Sequence, residues 1–97
     1  MHPVRHTVAA MILSSAWLLT ACSGNVSSDR AQQCAEGLRA AQVELEEARV
    51  KGFSGTVAWA KAAGLITGAT VQQQFEKYPN CIDKVRRARA YIRESQR

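Results

Sequence analysis

The chain has 97 residues, with 13 Lys and Arg against 8 Asp and Glu, and a formal charge of +5 at pH 7. This length accommodates one small domain, which excludes a Rossmann enzyme, a barrel and any two-lobed enzyme. Both histidines, His2 and His6, lie at the amino terminus, ahead of a predicted cleavage point. The processed protein would therefore contain no imidazole, which argues against histidine-dependent catalysis. We predict a protein that is not an enzyme and has no evident small-molecule substrate.

The first 21 residues have the pattern of an export signal. Residues 1–7 carry one fixed positive charge, Arg5, and residues 8–19 form an uncharged apolar run. As a helix this run would span about 18 Å, whereas the hydrocarbon core of a bilayer is about 30 Å thick. The run is therefore too short for a durable membrane span and has the length of a signal-peptide core.

The leader ends in Leu19, Thr20, Ala21 and Cys22, an aliphatic residue and two small residues before a cysteine. This segment resembles the lipobox of bacterial lipoproteins. The resemblance implies cleavage before Cys22, diacylglycerol on its thiol, and often a further acyl chain such as palmitate on its new amine. Because Ser23 rather than aspartate follows, it also implies transfer to the outer membrane of a Gram-negative cell, facing the periplasm. The alternative is an ordinary secretory signal with a chance cysteine.

We therefore expect a lipoprotein signal peptide at 1–21, a lipidated tether at 22–28 and a helical domain at 29–97. Two or three acyl chains would hold the protein on the lipid bilayer essentially permanently. The polar tether reaches at most about 20 Å, so the domain would lie close to the membrane.

The remaining two cysteines, Cys34 and Cys81, are predicted to form a disulfide, because disulfides persist in oxidising compartments. The bond would close a loop of 48 residues. The chain-entropy estimate for such a loop is about 4 kcal/mol. Free thiols are the alternative. Two distant cysteines without histidine provide too few ligands for a metal site, and we predict neither a metal nor a cofactor.

The first helix is predicted to begin at a cap formed by Ser28 or Asp29 and to end at Gly52. Its apolar positions recur at steps of four and three residues, as one face of a helix requires: Cys34, Leu38, Ala41, Leu45 and Ala48. The glutamates at 44, 46 and 47 lie mostly off this face. A solvated surface is favoured for them over a cation site.

The second helix is predicted over residues 55–78, with Ser54 as its cap and Phe53 as a hydrophobic staple. Its apolar residues surround much of its circumference, as in a helix between two neighbours. Gly64 and Gly68 have the spacing of close helix contacts. The alternatives are a break between two short helices and a homodimer face.

The third helix is predicted to follow Pro79, which disfavours helical geometry at Tyr78, with Asn80 as its cap. Its apolar positions again share one face: Cys81, Val85, Ala88 and Ile92. Short connections favour antiparallel neighbours. The predicted fold class is therefore all-α, an antiparallel three-helix bundle stapled by one disulfide.

The turn at 78–80 and the alanine-rich helix after it are faintly similar to the end of a tetratricopeptide repeat, over about 20 residues. No 34-residue period fits the chain, which excludes a solenoid. As a whole, the mature sequence resembles short helical lipoproteins of Gram-negative bacteria, a resemblance that implies a location but no activity.

The last helix concentrates the positive charge, because residues 81–97 carry a formal +4. Four of its cations share one helical face and form the predicted anion-binding or partner-binding site: Arg86, Arg89, Arg93 and Arg97. Guanidinium forks suit carboxylates and phosphates. The predicted partners are peptidoglycan, lipopolysaccharide or another envelope protein, and export argues against nucleic acid. The alternative is a solvated arginine face.

These features predict a membrane-anchored envelope lipoprotein that acts as a non-catalytic binding or structural module. The alternative is a small accessory subunit of a larger envelope complex, bound through apolar helix surface around Trp59, Gly64 and Gly68.

Overall fold

The computed structural model describes residues 26–97, with side chains from residue 28 onward. This part of the chain forms three helices, α1 (Val26–Val50), α2 (Val57–Gln74) and α3 (Tyr78–Ser95), and no strand. Each helix packs against the other two, and α3 packs most extensively against α2. The predicted all-α three-helix bundle is therefore confirmed. The predicted signal peptide at 1–21 and the lipidation site Cys22 lie outside the described residues.

The core is built from the apolar faces that the sequence spacing predicts. In α1 and α3 every predicted position is buried except Leu45, which packs against the core from its edge. The middle helix contributes a narrow row of small and medium side chains: Ala62, Ile66 and Ala69. Because so many core residues are alanine, the three helices approach one another closely.

The predicted disulfide between Cys34 and Cys81 is confirmed and joins α1 to α3. Their Cα atoms lie 5.7 Å apart, and both residues are fully buried. One turn after Cys34, Gly37 faces Val85, and a Cβ on this glycine would lie 3.0 Å from Val85 Cγ1. The bond therefore lies where the two helix backbones come close together.

The connection between α1 and α2 uses a glycine stop, as predicted, but a different cap. Gly52 has φ +95°, and the N–H of Phe53 donates to the Ala48 carbonyl at 2.9 Å, an arrangement that satisfies the last carbonyls of a helix. The predicted Ser54 cap is wrong, because Ser54 lies within the turn. Thr56 caps α2 instead, since its hydroxyl accepts from the Trp59 N–H at 3.1 Å and donates to the Phe53 carbonyl at 2.8 Å.

The second helix runs through Gly64 and Gly68 without a break and ends at Gln74 rather than at residue 78. Its end is closed by Glu76, whose φ of 58° is unusual for a residue with a side chain. This conformation lets the Lys77 N–H donate to the Gln72 carbonyl at 2.8 Å. The chain is thereby turned toward α3.

Two further predicted helix starts are wrong. The first helix already includes Val26 and Ser27, ahead of the predicted cap at Ser28 or Asp29, so both predicted cap residues lie inside the helix. The third begins at Tyr78 with Pro79 in its first turn, where a missing N–H costs nothing. Asn80 therefore lies inside the helix, and its side-chain amide donates to Gln72 Oε1 at 3.3 Å. None of the three described helices is long and apolar enough to cross a membrane.

Candidate functional site

The third helix lies between two surface grooves, and basic side chains of this helix line both. The α1–α3 groove has a volume of about 250 Å³. It is lined by Gln33, Gly37, Ile82, Val85, Arg86, Arg89 and Arg93. The α2–α3 groove has a volume of about 390 Å³. It is lined by Lys61, Gly64, Leu65, Gly68, Lys84, Arg87 and Tyr91.

In the α1–α3 groove, Arg89 forms a two-pronged contact with a carboxylate of the neighbouring helix. Its Nε and Nη2 atoms donate to the two carboxylate oxygens of Glu44 at 2.9 and 2.7 Å. These hydrogen bonds, and secondarily the charge of Glu44, raise the pKa of the Arg89 guanidinium. Because a paired fork fixes both partners in one geometry, this contact ties α3 to α1 and orients Arg89 along the groove.

The other predicted arginines differ in how far their charge is neutralised. Arg86 donates to Asp83 at 2.5 Å on the exposed surface, a kind of pair that contributes about 0–1 kcal/mol. Arg93 and Arg97 take part in no ion pair with any residue from 28 to 97. Of the four predicted arginines, Arg86, Arg89 and Arg93 line the α1–α3 groove, whereas Arg97 does not.

The α2–α3 groove was not predicted as a site. Its cations Lys61 and Lys84 form no ion pair within the described chain, and Arg87 lies 3.7 Å from Asp83. The Lys61 ammonium lies 5.4 Å from the centre of the Tyr91 ring, within the range of a cation–π contact. This groove is therefore the less neutralised of the two.

The sequence did contain a signal for the α2–α3 groove. On α2, its lining residues recur at the spacing i, i+3, i+4 and i+7 of one helical face: Lys61, Gly64, Leu65 and Gly68. On α3, Lys84, Arg87 and Tyr91 recur at i, i+3 and i+7. The spacing of the two glycines favours close helix contacts over a helix break or a homodimer face, but a Cβ on Gly64 would meet no atom within 4 Å, so Gly64 takes part in no such contact within the described chain.

The apolar surface suggested for an accessory subunit is divided in the structure. Trp59 is half-buried against the core, and its indole N–H donates to the Leu45 carbonyl at 3.0 Å. Gly64 is exposed, whereas Gly68 is half-buried, with the Lys84 side chain 3.3 Å from the position of a Cβ there. The indole of Trp59 thus serves the contact between α1 and α2.

Two acidic residues of α1 form ion pairs with arginines. Glu44 binds Arg89, and Glu46 binds Arg49 three residues later. The hydrogen bond from Arg49 lowers the pKa of the exposed Glu46 carboxyl. No group of three or more His, Cys, Asp or Glu in residues 28–97 is arranged to hold a metal ion.

Comparison with known protein families, characterised proteins and solved structures finds no match to this chain.

Proposed function

We propose that the protein is a lipid-anchored, non-catalytic binding module of the Gram-negative cell envelope, which holds an anionic envelope component in the α1–α3 groove. The leader pattern ending at Cys22 supports the anchor, and the basic lining of the groove supports the anionic ligand. The single observation that carries the proposal is the row of Arg86, Arg89 and Arg93 along a concave surface with an apolar floor.

The chemistry of the groove favours carboxylates. Arg89 already binds a carboxylate through a paired fork, and Arg86 binds another. Arg93 lines the same groove without an internal partner among the described residues, so its guanidinium is free to bind a ligand. Because peptidoglycan stems carry carboxylates, the cell wall is the partner we propose for this groove.

The proposed anchor gives the groove an orientation. The disulfide places Cys34 and Cys81 at the same height along the bundle axis. Because Cys34 follows the start of α1 by eight residues and Arg93 follows Cys81 by twelve, a rise of about 1.5 Å per residue places Arg93 about 30 Å from the start of α1 along that axis. A protein anchored at Cys22 in the inner leaflet of the outer membrane would present this end of the groove toward the cell wall.

The test is sedimentation with purified cell-wall sacculi, using the protein isolated intact from membranes in a non-ionic detergent. We expect Arg86→Gln/Arg93→Gln to lose most of its sedimentation at low salt, because unscreened charge attraction drives the contact. The control, Arg39→Gln/Lys51→Gln, removes two exposed cations outside the groove and should sediment like the unchanged protein. Equal sedimentation of both variants would refute the groove as the binding site.

The anchor has its own test. Intact-mass analysis of the membrane-extracted protein should show a chain beginning at Cys22 that carries acyl groups. A mass that corresponds to an unmodified cysteine would refute the lipoprotein assignment and leave the groove experiment unaffected.

A further inference from the structure

We propose that the α2–α3 groove is a second, independent anion site, and that its ligand is a sugar-sized molecule bearing a phosphomonoester. The proposal does not depend on cell-wall binding, because the two grooves lie on opposite flanks of α3. The two lining sets have no residue in common.

The charge of the groove indicates a dianion. Lys61, Lys84 and Arg87 give it a formal charge of +3. Among the described residues, the one ion pair of these cations is that of Arg87 with Asp83, at 3.7 Å, and Glu94 lines the neighbouring surface beside Arg87 and Tyr91. A phosphomonoester carries about −1.5 to −2 charges at neutral pH, so it matches this excess better than a carboxylate or a phosphodiester does. Two of the three cations are lysines, which bind phosphate as point charges without requiring a fork.

The shape of the groove indicates what carries the phosphate. Gly64 and Gly68 face the groove with Leu65 between them, so that two positions of the α2 face present backbone rather than side chains. Open space lies above Gly64. The groove is shallow and largely open to solvent, with a volume of about 390 Å³. It has room for one sugar ring beside its phosphate and is too shallow to enclose a long acyl chain.

Two residues give the groove a prepared geometry. The Lys61 ammonium is held against the Tyr91 ring at 5.4 Å, and the Lys84 side chain lies along Gly68. Leu65, the Tyr91 ring and the aliphatic stems of the two lysines line the groove together, and such stems cover apolar surface while their charged heads stay in water at its rim. A phosphate at the rim would place its sugar against Leu65 and the edge of Tyr91.

The experiment titrates glucose 1-phosphate into the protein isolated intact from expressing cells, with calorimetry for affinity and amide NMR for location. We expect the amide resonances of Gly64 and Gly68 to shift on binding. Lys61→Gln/Lys84→Gln should weaken binding about tenfold or more, a change that corresponds to about 1.4 kcal/mol. Gly64→Leu begins its side chain in open space and extends it over the groove, so it should abolish binding while the helical content is retained.

The matched control is Lys51→Gln/Lys77→Gln, which removes two exposed lysines outside the groove and should change the affinity less than about twofold. A loss equal to that of the groove variant would mean nonspecific attraction and overturn the proposal. Equal binding of inorganic phosphate, of glucuronate, or of vesicles containing phosphatidylglycerol would also overturn it, because each lacks either the sugar or the monoester. Arg93→Gln, which leaves Asp83 and its two arginines unchanged, should bind glucose 1-phosphate normally, which distinguishes failure here from failure of the cell-wall proposal.

Discussion

Removing the disulfide measures how much of the fold depends on a covalent link. In Cys34→Ala/Cys81→Ala, the link is lost from two fully buried positions. The two cysteines are 47 positions apart, and closing a loop of that length lowers the entropy of the unfolded chain by the equivalent of about 4 kcal/mol at 25 °C. Alanine is preferred to serine, because a serine hydroxyl buried there without a partner would add a separate penalty.

The size of the domain makes this loss severe. At roughly 0.05–0.15 kcal/mol per residue, the 72 residues from 26 to 97 would have a total stability of about 4–11 kcal/mol. We therefore expect the variant to be marginal or unfolded at 37 °C. Urea unfolding followed by helical circular dichroism gives the free energy of unfolding, and trimethylamine N-oxide can refold a variant that is unfolded in buffer.

Reduction of the unchanged protein with a thiol reductant is the control, because it breaks the same bond without altering the sequence. Both treatments should lower the free energy of unfolding by similar amounts. A loss below about 1 kcal/mol in either one would refute the reasoning, since it would mean that helix packing alone fixes the bundle.

Two further predictions concern the glycines and Asp83, the carboxylate that pairs with one arginine of each groove. Gly64→Ala should raise the free energy of unfolding by about 1 kcal/mol, because alanine favours a helix and the added methyl meets open space. Gly37→Ala gains the same propensity but crowds Val85, at a cost of about 1–3 kcal/mol. Urea midpoints should therefore rank it below Gly64→Ala, and the reverse order would contradict the packing described for α1 and α3. Asp83→Asn removes the partner of Arg86 and the neighbour of Arg87, so anion affinity in each groove should rise about two- to fivefold by calorimetry. An unchanged affinity would mean that this carboxylate does not compete for either guanidinium.

The core could be predicted because spacing determines which residues of a helix face inward. The faces beginning at Cys34 and Cys81 were each marked by steps of three and four residues, and each face began with a cysteine. With short connections, this placed both thiols at the same end of the bundle. The helical period of the apolar residues and the chain reversals at the short connections are enough to bring the two cysteines together. The disulfide follows from this proximity.

The helix starts could not be predicted from local signals, because several residues near each start can serve as caps. Ser54 and Thr56 are both competent caps, and the choice depends on how many residues the preceding turn consumes. The glycine stop at Gly52 and its paired hydrogen bonds occupy the chain through Phe53. Ser54 then lies within the reversal, so Thr56 is the first residue placed to cap α2.

The arginine face shows a different limit of sequence reasoning. Helical spacing groups Arg86, Arg89 and Arg93 correctly, but it does not reveal which of them are neutralised. The partner of Arg89 is Glu44, 45 positions earlier, and only packing of α1 against α3 brings the two together. The free charge at a site is therefore a tertiary property even where the positions of the charges are local.

The position of α3 explains why one basic helix produces two separate sites. Its buried face divides its surface into two flanks, and each flank meets a different neighbouring helix. Arg86 and Arg87 are adjacent in the chain, yet they line different grooves. Asp83 pairs with both arginines, because it precedes Arg86 by three residues and Arg87 by four. It is the one acidic group in the described chain that forms ion pairs with cations on both flanks of α3. A ligand that draws Arg86 away from Asp83 would leave this carboxylate to Arg87, so Asp83 provides a direct electrostatic route by which the two grooves can influence each other.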